Sequence, residues 1–522
     1  MVDPKSNLLQ RCRLTDTCRA EPGTSADRIL RKAKVLAYAP DLPVQFEAIL
    51  EPDYVRTLRA SMLDTVQAET VAANVVIFDG STASQLNRFL AALPSAGRTL
   101  VRLTSPELNC DEPVRFRSGT WLCGSATLCR ADRVDIAFLG QKVEDAALTD
   151  IIVTRPRVCA VMLRGCTRVN LERLTVRNGQ DYGVVVRGRS SLVRVASCVF
   201  RDNVRAGVMI EDGSHHVLVS ACEITGSRHS SNWAAGVVIS ALRPVSELGI
   251  RDAFEPCYFY PKDLSFKADA VPHHNLVEAC HVHDNQSSGI YVDGGNGNAL
   301  VANTIMDNDK EGVCLDFYAA ANLVDSNIFG RNGFRRRQSD DDLRIDMVLG
   351  NGRLPDGSAA AKVPNVSLDN AACNILMHNV ISGGAGGGIK VVRAGFRNLF
   401  CMNTLADNND GGSHVFTFPG ILLGSAGSEV ENDESGLDRT ASFENVIFGN
   451  LITGSHMVGI VYDAGSAYND TRQNLVVGQL GPPVVLHGRP NPLTGNSFGP
   501  PTAPGLQGRI WRYLLQLRAL FR

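Results

Sequence analysis

The chain of 522 residues has few aromatic residues, almost no net charge and no long apolar run. Without an apolar stretch of about 18 residues, the sequence predicts no membrane-spanning helix. Aromatic residues make up 6% of the chain, and 52 Lys and Arg residues balance 54 Asp and Glu residues to a net charge of −2. This balance gives no reason to expect a nucleic acid partner.

The sequence also lacks a secretion signal and a zinc motif. Residues 1–21 carry charges throughout, so we expect no Sec-type signal peptide. The 14 cysteines form no CxxC pair and no Cys/His zinc spacing. Cys198, Cys222 and Cys280 instead share one position of a repeat, which favours buried free thiols. We therefore expect a cytoplasmic protein, or one exported by a non-Sec route.

The most regular feature that is present is a repeat of roughly 24 residues, typical of a solenoid. Residues 303–305 (Asn-Thr-Ile) begin 23 residues after residues 280–282 (Cys-His-Val), and residues 327–329 begin 24 residues later again. Nine residues into the first two repeats, a glycine opens a short strand, at Gly289 and Gly312. No helical period fits these segments, so the sequence predicts stacked coils of short β-strands that share one core.

The same register continues in both directions along the chain. It includes the glycines at 183, 207, 236, 388 and 459, and an Asn five places after the ladder position at 203, 285, 308, 332 and 408. Stacked Asn side chains can pass hydrogen bonds from one turn to the next. We expect each repeat glycine to occupy a tight corner.

Residues 100–477, which carry these repeats, resemble the right-handed parallel β-helix of the pectate-lyase-like superfamily. The resemblance implies an all-β solenoid over residues 81–480, with an N-terminal helical cap. Residues 25–30, 53–70 and 82–93 are predicted to be helical, and residues 1–80 do not fit the repeat. A Pro/Gly linker at 481–508 precedes a basic amphipathic helix at 509–522, which is predicted to cap the solenoid or to dock on a membrane or a protein.

Two insertions, at 242–274 and 334–372, interrupt the repeat. Long excursions from a rigid scaffold are where binding surfaces usually lie. The substrate-binding residues predicted in these insertions are Tyr258, Tyr260, His273, His274 and Arg335.

Side chains alternate along a strand, so the second and fourth residues after each repeat glycine are expected to point outward. This rule places Tyr291 and Asp293 on one turn and Asp316 on the next, with Glu311 just before that strand. Further outward cations are Lys390 and Arg393. Carboxylates that repel one another can divide into an acid and a base, and cations can pair with a uronate. An ordinary hydrated sheet face remains the alternative.

The resemblance adds a comparison of catalytic elements. In polygalacturonase-like members, carboxylates lie just before and on this strand, where Glu311 stands, and a basic element follows, which Gly-Ile-Lys at 388–390 resembles. The doubled Asp and the Gly-His-Gly of that family are absent. In pectate and alginate lyases, a Ca²⁺ ion is held by acidic residues; Asp293 and Asp316 would be its ligands here, with Lys390 as base. The epimerase Asp-Pro-His motif is also absent.

The leading hypothesis is an enzyme that cleaves a polysaccharide or oligosaccharide, with uronates as the favoured sugars, by elimination or hydrolysis and less readily by epimerisation. Catalysis is assigned to Glu311, Asp293, Asp316, Lys390 and Arg393, and stacking on sugar rings to Tyr291. The alternative is a non-catalytic β-helix that binds glycans or serves as a scaffold and docks through residues 509–522.

Overall fold

The computed structural model describes residues 48–67, 74–94, 97–228, 234–241, 271–316, 319–334, 363–369, 371–392, 395–408, 419–424, 442, 444–456, 458–462, 466, 468–486 and 491–499. These residues fall into two compact units, described separately below. The first unit comprises the described residues up to 304 together with 320–322, and the second comprises the remainder from 305 onward. The predictions for residues 25–30, 500–508 and 509–522 lie outside the described residues.

Two helices of the first unit match predicted segments: α1 (Tyr54–Gln67) and α2 (Ala83–Ala92). A capping box starts α2, because the Gln85 amide donates to Thr82 Oγ1 (3.3 Å) and the Thr82 amide donates to Gln85 Oε1 (3.2 Å). Leu86 and Leu90 bury the apolar face of α2. No helix among the described residues has the length and apolar character needed to span a bilayer.

Helix α1 is fixed to the first unit by two polar contacts. Arg59 Nε donates to Glu278 Oε2 at 2.9 Å, and the Tyr54 hydroxyl donates to the Gly297 carbonyl at 2.6 Å. Leu58 and Met62 are buried on the same helix. These contacts attach a segment from outside the repeat to the turns of the solenoid.

Each unit is a parallel β-solenoid whose turns contribute strands to three columns. In the first unit, column one contains β4 (Val114–Arg115), β6 (Ile136–Gln141), β8 (Cys159–Arg164), β11 (Tyr182–Arg187), β14 (Ala206–Glu211), β17 (Ala235–Ser240) and β20 (Ser288–Asp293). Column two contains β1 (Asn74–Phe78), β2 (Thr99–Leu103), the first halves of β5 (Thr120–Arg130) and β7 (Glu144–Thr154), β9 (Thr167–Glu172), β12 (Ser191–Ala196), β15 (His215–Ser220), β18 (Leu276–Glu278) and β21 (Ala299–Val301). Column three contains β3 (Glu107–Asn109), the second halves of β5 and β7, β10 (Thr175–Arg177), β13 (Val199–Arg201), β16 (Glu223–Thr225) and β19 (His281–His283).

The second unit repeats this plan. Column one contains β23 (Val313–Asp316), β26 (Val366–Asp369), β29 (Ile389–Val392), β32 (Ile421–Leu423), β35 (Ile460–Tyr462) and β38 (Val484–Leu486). Column two contains β24 (Leu323–Asp325), β27 (Ile375–Met377), β30 (Leu399–Cys401), β33 (Val446–Phe448), β36 (Asp470–Arg472) and β39 (Leu493–Thr494). Column three contains β22 (Thr304–Met306), whose first residue belongs to the first unit, β25 (Ile328–Gly330), β28 (Val380–Ser382), β31 (Thr404–Ala406), β34 (Leu451–Thr453), β37 (Leu475–Val477) and β40 (Ser497–Phe498). Seven column-one strands in the first unit and six in the second give about 13 turns, and the predicted all-β solenoid is confirmed.

Two strands of the solenoid lie outside the bounds predicted for the repeat. Strand β1 lies within residues 1–80, yet it pairs in parallel with β2, with Val75 opposite Leu100. Strand β26 lies inside the predicted insertion at 334–372, where Ser367 pairs with Lys390 in column one. In both cases the chain rejoins the sheet in a segment where the sequence period is not visible.

The corner between columns two and three is formed by one residue in the left-handed region. Ser197 (φ 53°), Ala221 (φ 52°) and Ala279 (φ 52°) hold this place in the first unit. Each is followed by a buried, free cysteine, namely Cys198, Cys222 and Cys280. The cysteine ladder is confirmed, and all 11 cysteines among the described residues are free thiols.

In the second unit, Asn replaces Cys on the same ladder. Asn379 Nδ2 donates to Asn403 Oδ1 at 2.9 Å, and Asn403 Nδ2 donates to Asn450 Oδ1 at 3.0 Å. The predicted stacking of Asn308 on Asn332 is also present, at 2.9 Å. Because each side chain satisfies groups on neighbouring turns, buried polar atoms stabilise the stack instead of weakening it.

The repeat glycines serve a purpose other than the predicted one. Gly183, Gly207 and Gly236 lie inside column-one strands and do not have a positive φ. A Cβ atom on Gly207 would lie 2.6 Å from Ile224 Cγ2, so the position requires glycine because of close packing between columns. The expectation that these repeat glycines form tight corners is wrong, since the corners are formed at other positions, such as Ala221 and Gly188.

We expect Gly207→Ala to destabilise the solenoid by about 1–3 kcal/mol, because the added methyl group overpacks a full core. Gly330→Ala is the matched control, since the nearest atom to its Cβ would be Met306 Cβ at 3.9 Å. Thermal unfolding should show a lowered midpoint only for Gly207→Ala. Equal midpoints in the two variants would contradict this packing explanation.

Candidate functional site

In the first unit, the column-one residues aligned with the fourth place after each repeat glycine form one row, here called the outer row. The register aligns its members turn by turn: Gln141, Arg164, Arg187, Glu211, Ser240 and Asp293. Exposure falls along this row. Gln141 and Arg164 are exposed, Arg187 and Glu211 are buried, and Ser240 and Asp293 have no accessible surface.

Asp293 is the buried acid at one end of the outer row. Ser240 Oγ donates to its Oδ2 at 3.1 Å, and no described residue forms a hydrogen bond to its Oδ1. Burial raises the pKa of Asp293 to about 8, although the hydrogen bond from Ser240 acts in the opposite direction. The group is therefore mostly protonated at pH 7, so it can supply a proton.

A buried ion pair stands beside this acid on the row. Arg187 Nε lies 3.2 Å from Glu211 Oε1, and both side chains are almost fully enclosed. Ser240 separates Glu211 from Asp293, so the two carboxyl-bearing residues are two turns apart, about 9.6 Å at the usual strand spacing. The row therefore combines a protonated acid with a carboxylate that is paired to a guanidinium.

The outward side chains of β20 are enclosed, where the sequence predicted an outer wall. Tyr291 and Asp293 lie on the same face of this strand, with relative exposures of 1% and 0%. A ring must be uncovered before it can stack on a sugar, so the roles assigned to these two residues require that the row opens. Those roles stay predictions.

Three further predicted site residues lie in the second unit. Glu311 is half-buried just before β23, Asp316 is buried at the end of β23, and Lys390 is half-buried on β29. Lys390 occupies the row of Cys314 and Ser367, so it follows β23 by two turns. Arg393, Tyr258, Tyr260 and Arg335 lie outside the described residues.

Asp369 is a carboxylate that the sequence reasoning missed. The register of β23 and β26 places it one turn from Asp316 in the same row. Its strand follows the predicted insertion, so the position of Asp369 in the repeat could not be counted from the sequence. Asp316 and Asp369 thus place two carboxylates on neighbouring turns of the second unit.

The described residues contain no preformed cluster of ligands for the predicted calcium ion. In the part of the chain that the structure describes, no group of three or more His, Cys, Asp or Glu side chains is arranged to hold a metal ion. Asp293 and Asp316 belong to different units.

His273 and His274 belong to the coil and not to the predicted insertion. His273 stacks on His215 with 4.9 Å between ring centroids, and His274 stacks on His216 at 5.7 Å. Within each turn the two Nδ1 atoms lie 2.9 Å and 2.8 Å apart. Burial lowers the pKa of all four rings, to about 4 for His216 and His273. His215 and His216 were not predicted.

Comparisons with known proteins concern the fold. Residues 136–243 match the family model described as "Right handed beta helix region". The A-module of the Azotobacter vinelandii mannuronan C-5 epimerase AlgE4 is 15% identical, with a TM-score of 0.47 over 81% of this chain and 97% of that chain. The catalytic unit of the GH87 α-1,3-glucanase of Streptomyces thermodiastaticus is 12% identical, with a TM-score of 0.48 over 82% and 71%. No curated protein sequence matches this chain.

A tailspike protein shows the same level of likeness. Bacteriophage CBA120 tailspike protein 3 is 9% identical, with a TM-score of 0.49 over 81% of this chain and 59% of that chain. At these identities the likeness concerns the β-helix fold alone. The predicted right-handed parallel β-helix is confirmed, and the reaction must be argued from the site.

We expect Asp293→Asn to stabilise the protein, and increasingly so as the pH rises. The folded pKa of Asp293 is raised to about 8, so the folded state binds more protons than the unfolded state between about pH 4 and pH 8. Stability is lost over this window as the pH rises, by about 6 kcal/mol in total. The variant removes this loss while keeping the shape of the side chain.

Urea unfolding of wild type and variant from pH 4 to pH 9 measures the difference. Asp132→Asn, at an exposed position, controls for the removal of a carboxylate. A difference between wild type and Asp293→Asn that stays constant from pH 4 to pH 9 would contradict a raised pKa.

Proposed function

We propose that this protein is an enzyme that cleaves a glycosidic bond of a polysaccharide or oligosaccharide, with Asp293 as the general acid. The observation that carries the proposal is the fully buried carboxyl group, which has one oxygen hydrogen-bonded to Ser240 and the other available. A carboxyl group that stays protonated near neutral pH is the group that such a reaction needs at the leaving oxygen.

Both cleavage chemistries use this proton. In hydrolysis the acid protonates the departing glycosidic oxygen while a carboxylate activates water. In β-elimination a base removes a carbon-bound proton next to the sugar carboxylate, and the acid again protonates the departing oxygen. Asp293 supplies the shared step in either case.

Glu211 is the carboxylate that would complete the pair. Its two-turn separation from Asp293 is larger than the roughly 5.5 Å of enzymes that form a covalent intermediate. A strand separation of about 9.6 Å is nearer to the roughly 6.5–9.5 Å between the carboxyl groups of inverting enzymes, which favours inversion if the reaction is hydrolysis. Arg187, 3.2 Å from Glu211, orients this carboxylate.

Substrate access requires a conformational step. Asp293 has no accessible surface and Tyr291 has 1%, so a glycan reaches them only after the row is uncovered. Opening and closing of this kind excludes water during reaction and is common among enzymes. It also explains how a carboxyl group can keep a high pKa between catalytic cycles.

The roles of Glu311, Asp316, Lys390 and Arg393 in catalysis, and of Ca²⁺ at Asp293 and Asp316, remain separate proposals. Cleavage that persists after exhaustive treatment with a chelator would contradict the calcium proposal. Loss of cleavage in Lys390→Ala with unchanged glycan affinity would support Lys390 as the base.

We expect Asp293→Asn to lower kcat by about 10²- to 10⁴-fold, because the leaving oxygen then departs without a proton. The assay incubates the protein with uronate and neutral polysaccharides and follows unsaturated products by absorbance and new reducing ends by chemical titration. Absorbance identifies elimination, and reducing ends without absorbance identify hydrolysis.

The pH profile gives an independent check through Ser240→Ala. The Ser240 hydrogen bond lowers the pKa of Asp293, so its removal should move the basic limb of kcat/KM to higher pH. Asp132→Asn should leave the profile unchanged. A wild-type protein that binds a glycan but cleaves none would favour the binding or scaffold alternative.

A further inference from the structure

We propose that a basic pocket at the corner between columns one and two of the first unit is a subsite for one carboxylate or sulfate group of an anionic glycan. The proposal rests on the proposed function, because it places this group on the same chain that reaches Asp293. The pocket has a volume of about 250 Å³. Its lining residues are Gln141, Lys142, Arg164, Gly165, Gly188, Arg189 and Asp212.

Three cations line the pocket on three successive turns. Lys142 follows β6, Arg164 ends β8, and Arg189 follows the end of β11. Consecutive turns are about 4.8 Å apart, so the three groups can surround a single anion. Among the described residues that line the pocket, Asp212 is the one carboxylate. The pocket therefore has a net positive charge.

Two of these cations, Lys142 and Arg164, differ from arginines of the same unit that form ion pairs between turns. Arg168 pairs with Asp145 at 2.6 Å and Arg173 pairs with Asp150 at 2.7 Å, each bridging neighbouring turns. No carboxylate of the described residues lies within ion-pair distance of Lys142 or Arg164, and both side chains are exposed. Their charges are not used to hold the turns together.

The floor of the pocket consists of backbone without side chains. Gly165 (φ 63°) and Gly188 (φ 66°) form the corner on two neighbouring turns. The Gly165 amide already donates to the Arg187 carbonyl at 3.1 Å, and the Lys142 amide donates to the Arg164 carbonyl at 2.9 Å. An anion must therefore be held by the guanidinium and ammonium groups, which match carboxylate and sulfate geometry.

The volume of the pocket and the presence of Asp212 both favour a sugar as the molecule that carries the anionic group. A volume of about 250 Å³ is below the roughly 300–1,000 Å³ of pockets that enclose drug-sized ligands, so one charged group with part of its ring fits. Asp212 accepts hydrogen bonds, and sugar hydroxyls donate them. A glycan unit that carries an anionic group beside free hydroxyls satisfies both sides of the pocket.

The outer row connects this pocket to the acid. Arg164 belongs to both, and it lies four turns from Asp293, about 19 Å at the usual strand spacing. A glycan laid along the row would place one anionic unit in the pocket while a more distant bond lies at Asp293. The pocket would then select anionic chains and set their register.

Calorimetric binding of oligosaccharides to the full chain tests the pocket directly. The test variant is Lys142→Gln/Arg164→Gln. The matched control, Arg130→Gln/Arg201→Gln, removes two cations whose carboxylate partners, Glu107 and Glu223, lie 2.8 Å away. The ligands are an oligouronate, a sulfated oligosaccharide and a neutral oligosaccharide, each at low and high salt.

We expect the test variant to bind anionic oligosaccharides at least tenfold more weakly, with little change for the neutral ligand. The control should change affinity less than twofold. Tighter binding of the uronate or of the sulfated ligand identifies which anionic group the pocket takes. Equal losses in test and control variants, or no binding of either anionic ligand by wild type, would overturn the proposal.

The same data separate this proposal from the proposed enzyme. Cleavage that needs Asp293 but affinity that ignores Lys142 and Arg164 would reject the pocket and keep the enzyme. Affinity that needs Lys142 and Arg164 in a protein that cleaves no glycan would keep the pocket and reject the enzyme. Circular dichroism and thermal unfolding confirm that each variant folds.

Discussion

The parallel register between successive turns is the constraint on which both structure and site depend. Because strands pair without a shift at most turns, residues that share a repeat position stack into rows. Inside each unit a row becomes a ladder, such as Cys198 to Cys222 or Asn379 to Asn403. Outside, the same register lines up Arg187, Glu211, Ser240 and Asp293, which are far apart in sequence.

The buried acid is a local cost that the rest of the fold must offset. Raising the pKa of Asp293 to about 8 makes the folded state less stable as the pH rises from about 4 to 8. The stacked histidines act in the opposite direction. Their pKa values are lowered by burial, so they stabilise the fold above about pH 6.5 and lose this contribution as the pH falls toward 4. Unpaired buried carboxyl groups of this kind are concentrated at functional sites.

Periodic features could be predicted from the sequence, because each turn repeats the same choice. The ladder at Cys198 and the stacking of Asn308 on Asn332 follow from spacing alone. Features that depend on tertiary surroundings could not be predicted from the sequence. Burial of Tyr291 depends on the packing around the row, and Asp369 lies on a strand that follows a break in the period. Corner residues share a backbone conformation but no residue type. The sequence therefore has no pattern from which the pocket at Arg164 could be predicted.

The proposed reaction depends most directly on a protonated carboxyl group in the folded protein near neutral pH. An infrared difference spectrum between wild type and Asp293→Asn, recorded from pH 5 to pH 10, isolates the carbonyl stretch of this one side chain. We predict a protonated carboxyl band that disappears with a midpoint near pH 8. A carboxylate band already present at pH 6 would contradict the assignment of Asp293 as an acid.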